Sequence, residues 1–222
     1  MRENVADIFD EVAEDLRAER ARNLMMRYGG LLVVAALLVL AGVGGWQGWR
    51  WYQGRQNARA AGVYLAAQHL ADATGASADR LKTAATFEKL AKTAPGGYRT
   101  LARLRAAALL ADAGKLPQAV ALWDQVAHDS GTDPLLRGLA DLMAASHQID
   151  SGNPALVAAR LKALAAPANP WHALAEEDLA LLDIKRGDTA AAKKTLTTLA
   201  NDPTAPSGAR GRASGLLQRL GG

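Results

Sequence analysis

The chain contains no cysteine. That excludes a disulfide, a thiolate metal site, a cysteine nucleophile and a lipoprotein acylation site, and it leaves the compartment open. Aromatic residues make up only 5%, and β-branched residues are few. No Walker loop, no G-x-G-x-x-G after a strand and no serine in a nucleophile elbow occurs. The four histidines, His69, His128, His147 and His172, do not pair with one another at metal-ligand spacing. His172 and Glu176 stand at i,i+4, which on a helix reads as a surface hydrogen bond. No basic run carries interleaved aromatics, so nucleic acid is not an expected partner. No metal, cofactor, small-molecule substrate or catalytic residue is expected.

Alanine is what the chain has in abundance, at 49 residues. With so little β-branching, that composition favours helix nearly throughout. The expected fold class is all-α.

One long apolar run stands out. Residues 29–49 (GGLLVVAALLVLAGVGGWQGW) contain no charge and one polar side chain, Gln47. As a helix the run is about 31 Å long, enough for a bilayer core. It is too long for a cleaved signal peptide, 28 residues precede it, and the Ala58-Arg59-Ala60 site lies too far beyond it. An uncleaved transmembrane anchor is expected. Trp46, Trp49, Trp51 and Tyr52 cluster at its exit end, as amphipathic rings do at the membrane interface. Gly44 and Gly48 form a small-xxx-small pair suited to close helix association, although glycine is also common in membrane helices generally.

Charge is unevenly spread. The formal net charge is +4. Residues 1–28 hold seven acids and five arginines, and everything after the anchor holds 21 basic and 15 acidic residues. That excess can draw the domain toward anionic lipid or acidic partners. The arginine bias across the anchor is slight. The expected topology is single-pass in the inner (plasma) membrane, with the N-terminus cytoplasmic and the C-terminal domain periplasmic. In the tail, Val5, Ile8, Phe9, Val12 and Leu16 share one helical face. Such a stripe lies on the membrane or docks on a partner.

Beyond the anchor the sequence repeats. Gly114…Ala119…Trp123…Val126 has the spacing of Gly152…Val157…Leu161…Leu164 and of Gly187…Ala192…Leu196…Leu199. Thr83…Phe87…Leu90 is a weaker copy. The bulky position recurs at 87, 123, 161 and 196, and an alanine precedes each by sixteen residues, at 71, 107, 145 and 180. A period of this size marks stacked helix pairs. The small residue lets the two helices cross closely, and the bulky one fills the groove to the next pair. Glycine ends the first helix in a left-handed cap.

The pattern predicts helices near 50–73, 79–93, 98–113, 117–129, 134–150, 154–166, 170–186, 189–200 and 207–219. The domain order is then a cytoplasmic amphipathic tail (1–28), the anchor (29–49), a linker and first repeat helix (50–73), repeats (74–203) and a capping helix (204–222). Arg210, Arg212, Gln218 and Arg219 are expected to give that last helix a polar outer face. The residues expected to line a binding groove lie on first helices: Arg103, Leu104, Asp141, Leu142, Glu176 and Glu177.

The G-x4-A-x3-(large apolar) signature resembles a degenerate tetratricopeptide repeat, so the expected solenoid has about four helix pairs. The full layout, with an acidic tail, one anchor ending in GWQGWRWY, a helical linker and four repeats, resembles the ancillary subunit of the bacterial SecYEG translocon. The opening VADIFDEVAEDLR (5–17) looks like the alphaproteobacterial branch of that family. The resemblance implies a bitopic inner-membrane protein bound to the Sec translocon and to a membrane-anchored periplasmic chaperone of the prolyl-isomerase type. Such a protein helps to hand translocating polypeptides to chaperones. A different client set would make the same repeats an envelope-assembly or cell-division adaptor.

Overall fold

The computed structural model describes residues 4–73 and 76–221, with side chains at Arg22, 25–73 and 76–221. Nine helices and no strand are present among the described residues. They are α1 (Asn4–Ala73), α2 (Ser77–Thr93), α3 (Gly96–Asp112), α4 (Leu116–Ala127), α5 (Pro134–Gln148), α6 (Pro154–Leu164), α7 (His172–Lys185), α8 (Thr189–Asn201) and α9 (Ser207–Arg219). The chain divides into two compact units, Met1–Arg55 and Gln56–Gly222.

In the first unit, α1 presents an apolar surface that no other element covers. Among the described residues it is the one helix long and apolar enough to cross a membrane, and none of its apolar window is buried. Trp46, Trp49, Trp51 and Tyr52 are each more than half exposed. The Arg55 guanidinium lies 5.3 Å from the Trp51 ring centroid. A Cβ added at Gly44 or Gly48 would meet nothing within 4 Å, so neither glycine serves packing within the chain. The apolar tail stripe from Val5 to Leu16 falls where side chains lie outside the described residues.

In the second unit the helix starts follow from local chemistry. Asp133 and Asn153 accept from the backbone N–H two residues ahead, at 2.8 and 2.9 Å, and Pro134 and Pro154 follow them. Asp188 accepts from the Ala191 N–H at 3.0 Å. Each satisfies a donor that a helix start leaves open. Gly114 (φ 76°) and Gly187 (φ 81°) end α3 and α7 in the left-handed region, as expected. Gly152 does not. Its glycine is needed for a different reason: a Cβ there would sit 2.8 Å from the Gln148 carbonyl oxygen and 3.2 Å from Val157.

The repeat register is visible in the core. Phe87, Trp123, Leu161 and Leu196 are at most 1% exposed, and Ala71, Ala107, Ala145 and Ala180 are all buried. Tyr64 of α1 meets Phe87 edge-on at 5.3 Å, which seats residues 60–71 against α2. From α2 onward each helix packs on the next. Beyond nearest neighbours, α3 packs on α5, α5 on α7 and α7 on α9. The odd-numbered helices thus form one continuous side, and α2, α4, α6 and α8 back them. Three hydrophobic clusters run in succession. On α5, Ala140 and Ala144 face the first while Leu142 and Ala145 face the second. On α7, Ala175 and Leu182 face the second while Ala173 and Ala180 face the third. Burying opposite faces of one helix in successive clusters makes the core continuous along the stack.

The last helix continues the series. Ala213, 33 residues after Ala180, is fully buried, and α9 packs on both α7 and α8. It therefore occupies the place of a first helix. Of its four expected outer-face residues one, Arg210, turns inward, whereas Arg212 stays exposed while its guanidinium pairs with α7. Arg210 donates to the carbonyls of Asp202, Pro203 and Ala205 at 3.4, 3.2 and 2.7 Å. Gln218 and Arg219 remain exposed.

Candidate interaction surface

The first helices carry polar side chains that join one repeat to the next. Asp72 accepts from Arg105 at 3.1 Å. Thr100 and Thr132 meet at 3.1 Å, and the Ser146 hydroxyl donates to Asp178. Arg212 donates through Nε and an NH2 group to the two oxygens of Glu177, each at 2.6 Å, a bidentate pair. Arg160 on α6 spans Asp124 at 2.7 Å and Asp141 at 3.6 Å. The Trp171 indole donates to the Leu135 carbonyl at 3.0 Å. Each of these hydrogen-bonded partners is 32 to 36 residues apart, one repeat.

Against this network the six expected groove residues separate. Arg103 is half-buried and pairs with Asp129 at 3.2 Å, closing the turn after α4. Leu104 packs on the first cluster. Asp141 is held beside Arg160, and burial raises its carboxyl above the ordinary value while Arg160 pulls it down. Glu176 lies 3.6 Å from His172, whose other ring nitrogen is 2.6 Å from the Ala165 carbonyl. Leu142, at 5% exposure, is core. Glu177, at 7%, is turned into the α7–α9 interface. Neither of these two offers itself to a partner. Burial also raises the carboxyl of Asp178, with the Ser146 hydroxyl opposing, and that of Asp183, where Asp188 adds to the rise.

The depressions are open and shallow. One of about 570 Å³ lies between α7 and α9, lined by Leu181, Leu216, Arg212 and the bare backbone of Gly211 and Gly215. Another of about 610 Å³ lies between α4 and the turn after α5, lined by Leu116, Pro117, Val120 and Gly152. Among the described residues no group of three or more histidine, aspartate or glutamate side chains converges as metal ligands would. What the arrangement offers chemically is a long side of partly covered leucines and internally paired charges. That suits contact with a polypeptide along its length.

The sequence reading missed the inter-repeat pairs. Their signal was present: complementary side chains recur one repeat apart, as in Asp72 and Arg105 or Glu177 and Arg212.

A family model described as a tetratricopeptide repeat-like domain matches residues 22–137. The match runs from within α1, before the apolar window, into α5. No curated protein and no solved structure matches the chain.

Proposed function

The chain belongs to the tetratricopeptide repeat-like domain family, and from that premise we propose that it is a membrane-anchored scaffold for protein–protein interaction. The observation that carries the proposal is the pairing of an uncovered apolar helix with an array whose odd-numbered helices form one continuous side. Repeat arrays of this kind bind along extended surfaces. Anchoring raises the effective concentration of array and partner to roughly the millimolar range, so weak contacts suffice.

The partner-facing set narrows to Arg103, Leu104, Asp141 and Glu176, because Leu142 and Glu177 are buried. The anchor spans the inner membrane once, with the tail cytoplasmic and the array periplasmic. The partners are the Sec translocon, a membrane-anchored periplasmic chaperone and the polypeptides passing between them. Support for this assignment comes from the layout of acidic tail, anchor, GWQGWRWY block and repeats.

Crosslinking in intact cells followed by recovery in mild detergent tests the reading. Adducts to translocon and chaperone are expected. Adducts to division or cell-wall proteins instead would favour the envelope-assembly or cell-division adaptor. A crosslinked population with no protein partner at all would overturn the scaffold. Protease added from the cytoplasmic side should spare the array, and digestion from that side alone would reverse the topology.

A further inference from the structure

The positive charge of the array is concentrated at one end. Residues 50–99 hold eight basic and three acidic side chains, whereas residues 100–222 hold thirteen and twelve. The stretch that directly follows the apolar span thus holds nearly all of the excess. Two of its three acids are already engaged, Asp72 with Arg105 at 3.1 Å and Asp79 with Lys82 at 3.6 Å. Arg59, Lys89, Lys92 and Arg99 are all exposed, and none is ion-paired among the described residues.

All four lie around the last turns of α2 and its junction with α3. Arg59 lines a small groove with Leu90, Thr93 and Pro95, so the end of α2 lies against the 56–63 stretch of α1. Lys89, Lys92 and Thr93 fall at i, i+3 and i+4 on one face of α2. Arg99 donates to the Ala94 carbonyl at 3.5 Å, which holds it at the same turn.

We infer that this basic end of the array docks on the anionic phospholipid surface of the membrane that anchors the chain. Charge complementarity selects an anionic occupant. Continuity with the anchor selects lipid over an acidic protein, because headgroups are always at hand for a tethered domain. Arg59 follows Trp49 by only ten residues in the sequence. A long arginine side chain can extend its charge toward headgroups from a stem held near the interface. The attraction acts only within a Debye length, about 8–10 Å at ordinary salt, so contact has to be close and salt has to weaken it. The inference rests on the anchoring reading but not on which side of the membrane the array occupies.

The absence of cysteine makes the test direct. Thr93→Cys gives the full chain a single labelling site beside the cluster. The labelled protein is reconstituted in vesicles of phosphatidylcholine alone or with about a third phosphatidylglycerol, each carrying a headgroup quencher. Strong quenching is expected only in the anionic vesicles, with loss in molar salt. Each cation near an anionic surface is worth roughly fivefold in partitioning, so Lys89→Gln with Lys92→Gln should lower the docked-to-free ratio roughly 25-fold. Equal quenching in both vesicle types, or indifference to salt and to the lysine changes, would overturn the inference. So would a label that stays free in anionic vesicles yet becomes protected when an acidic partner protein is added. Resistance to alkaline extraction is measured on the same vesicles. A chain that washes off fails the anchoring reading itself, whereas an embedded chain without quenching fails only this one.

Discussion

Replacing Gly138 by alanine should destabilise the array, although the same exchange elsewhere in its helices should stabilise it. Alanine in a helix interior is favoured over glycine by about 1 kcal/mol. At Gly211 and Gly215 of α9 a new Cβ would meet nothing within 4 Å, so that gain should be realised. At Gly138 of α5 the new Cβ would lie 2.6 Å from Cδ1 and 2.8 Å from Nε1 of Trp171. The indole cannot stay, and its hydrogen bond to the Leu135 carbonyl at 3.0 Å goes with it. That bond is worth about 0.5–1.5 kcal/mol, and overpacking of this kind costs about 1–3 kcal/mol. After the helix gain, Gly138→Ala should lose about 1–2 kcal/mol. For a domain of this size that lowers the melting temperature by roughly 2–8 °C, against a rise of roughly 2–4 °C for Gly211→Ala. Melting followed by circular dichroism on the full chain in mild detergent reads both. A Gly138→Ala protein that melts at or above the parent would refute the reasoning, since the close approach of Trp171 would then be without consequence.

Other expectations follow from the same geometry. Arg212→Ala removes a half-exposed partner from the buried Glu177 carboxylate and should destabilise by about 1–3 kcal/mol, read as faster amide exchange across α9. Adding Glu177→Gln should restore part of that loss, and strict additivity would contradict a direct pair. Trp123→Ala empties a site that is 1% exposed and should cost about 3–5 kcal/mol in urea unfolding. Burial raises the Asp178 carboxyl above its ordinary value of 3.8, so the folded state favours its protonated form. That contribution is present at acid pH and is lost as pH rises through the raised value. Asp178→Asn, which keeps an acceptor for Ser146, should therefore raise stability at neutral pH and lose that advantage in the acid limit. Equal effects at both pH values would deny a role to charge.

Sequence made the array readable for a physical reason. Helix pairs that stack must bury the same positions in each copy, so the period survives even when residue identities drift. Bulky positions 87, 123, 161 and 196 and alanines 71, 107, 145 and 180 are the residues with no freedom of exposure. Capping was legible where a left-handed turn ends the first helix, as at Gly114 and Gly187. It failed at Gly152, where a clash with the Gln148 carbonyl oxygen replaces a left-handed turn as the reason for glycine. The surface was harder. Leu142 and Glu177 sit next to exposed-looking positions on their helices, and a one-dimensional pattern cannot say that α9 will close over Glu177. The fifth alanine, Ala213, marked that closure, since it extends the column by one more repeat.

The disposition of charge bears on how such a surface can recognise anything. Along α5 and α7, Asp141, Glu176, Glu177, Asp178 and Lys185 are each engaged by a neighbour within the array. Exposed ion pairs contribute little to stability. A partner that meets Arg103, Asp141 or Glu176 must compete with a bond already made, so these charges add to contact but do not dominate it. Recognition along the middle of the odd-numbered side therefore depends on shape and on partly covered apolar side chains such as Leu101 and Leu104. Exposed cations without an ion pair among the described residues lie where the array begins, at Arg59, Lys89, Lys92 and Arg99, and also farther along it, at Lys115, Lys162, Arg186, Lys194 and Arg219. Long-range attraction acts through such cations, and specificity is left to shape and apolar contact. An array built this way can be positioned by charge and still accept partners of differing sequence along its length.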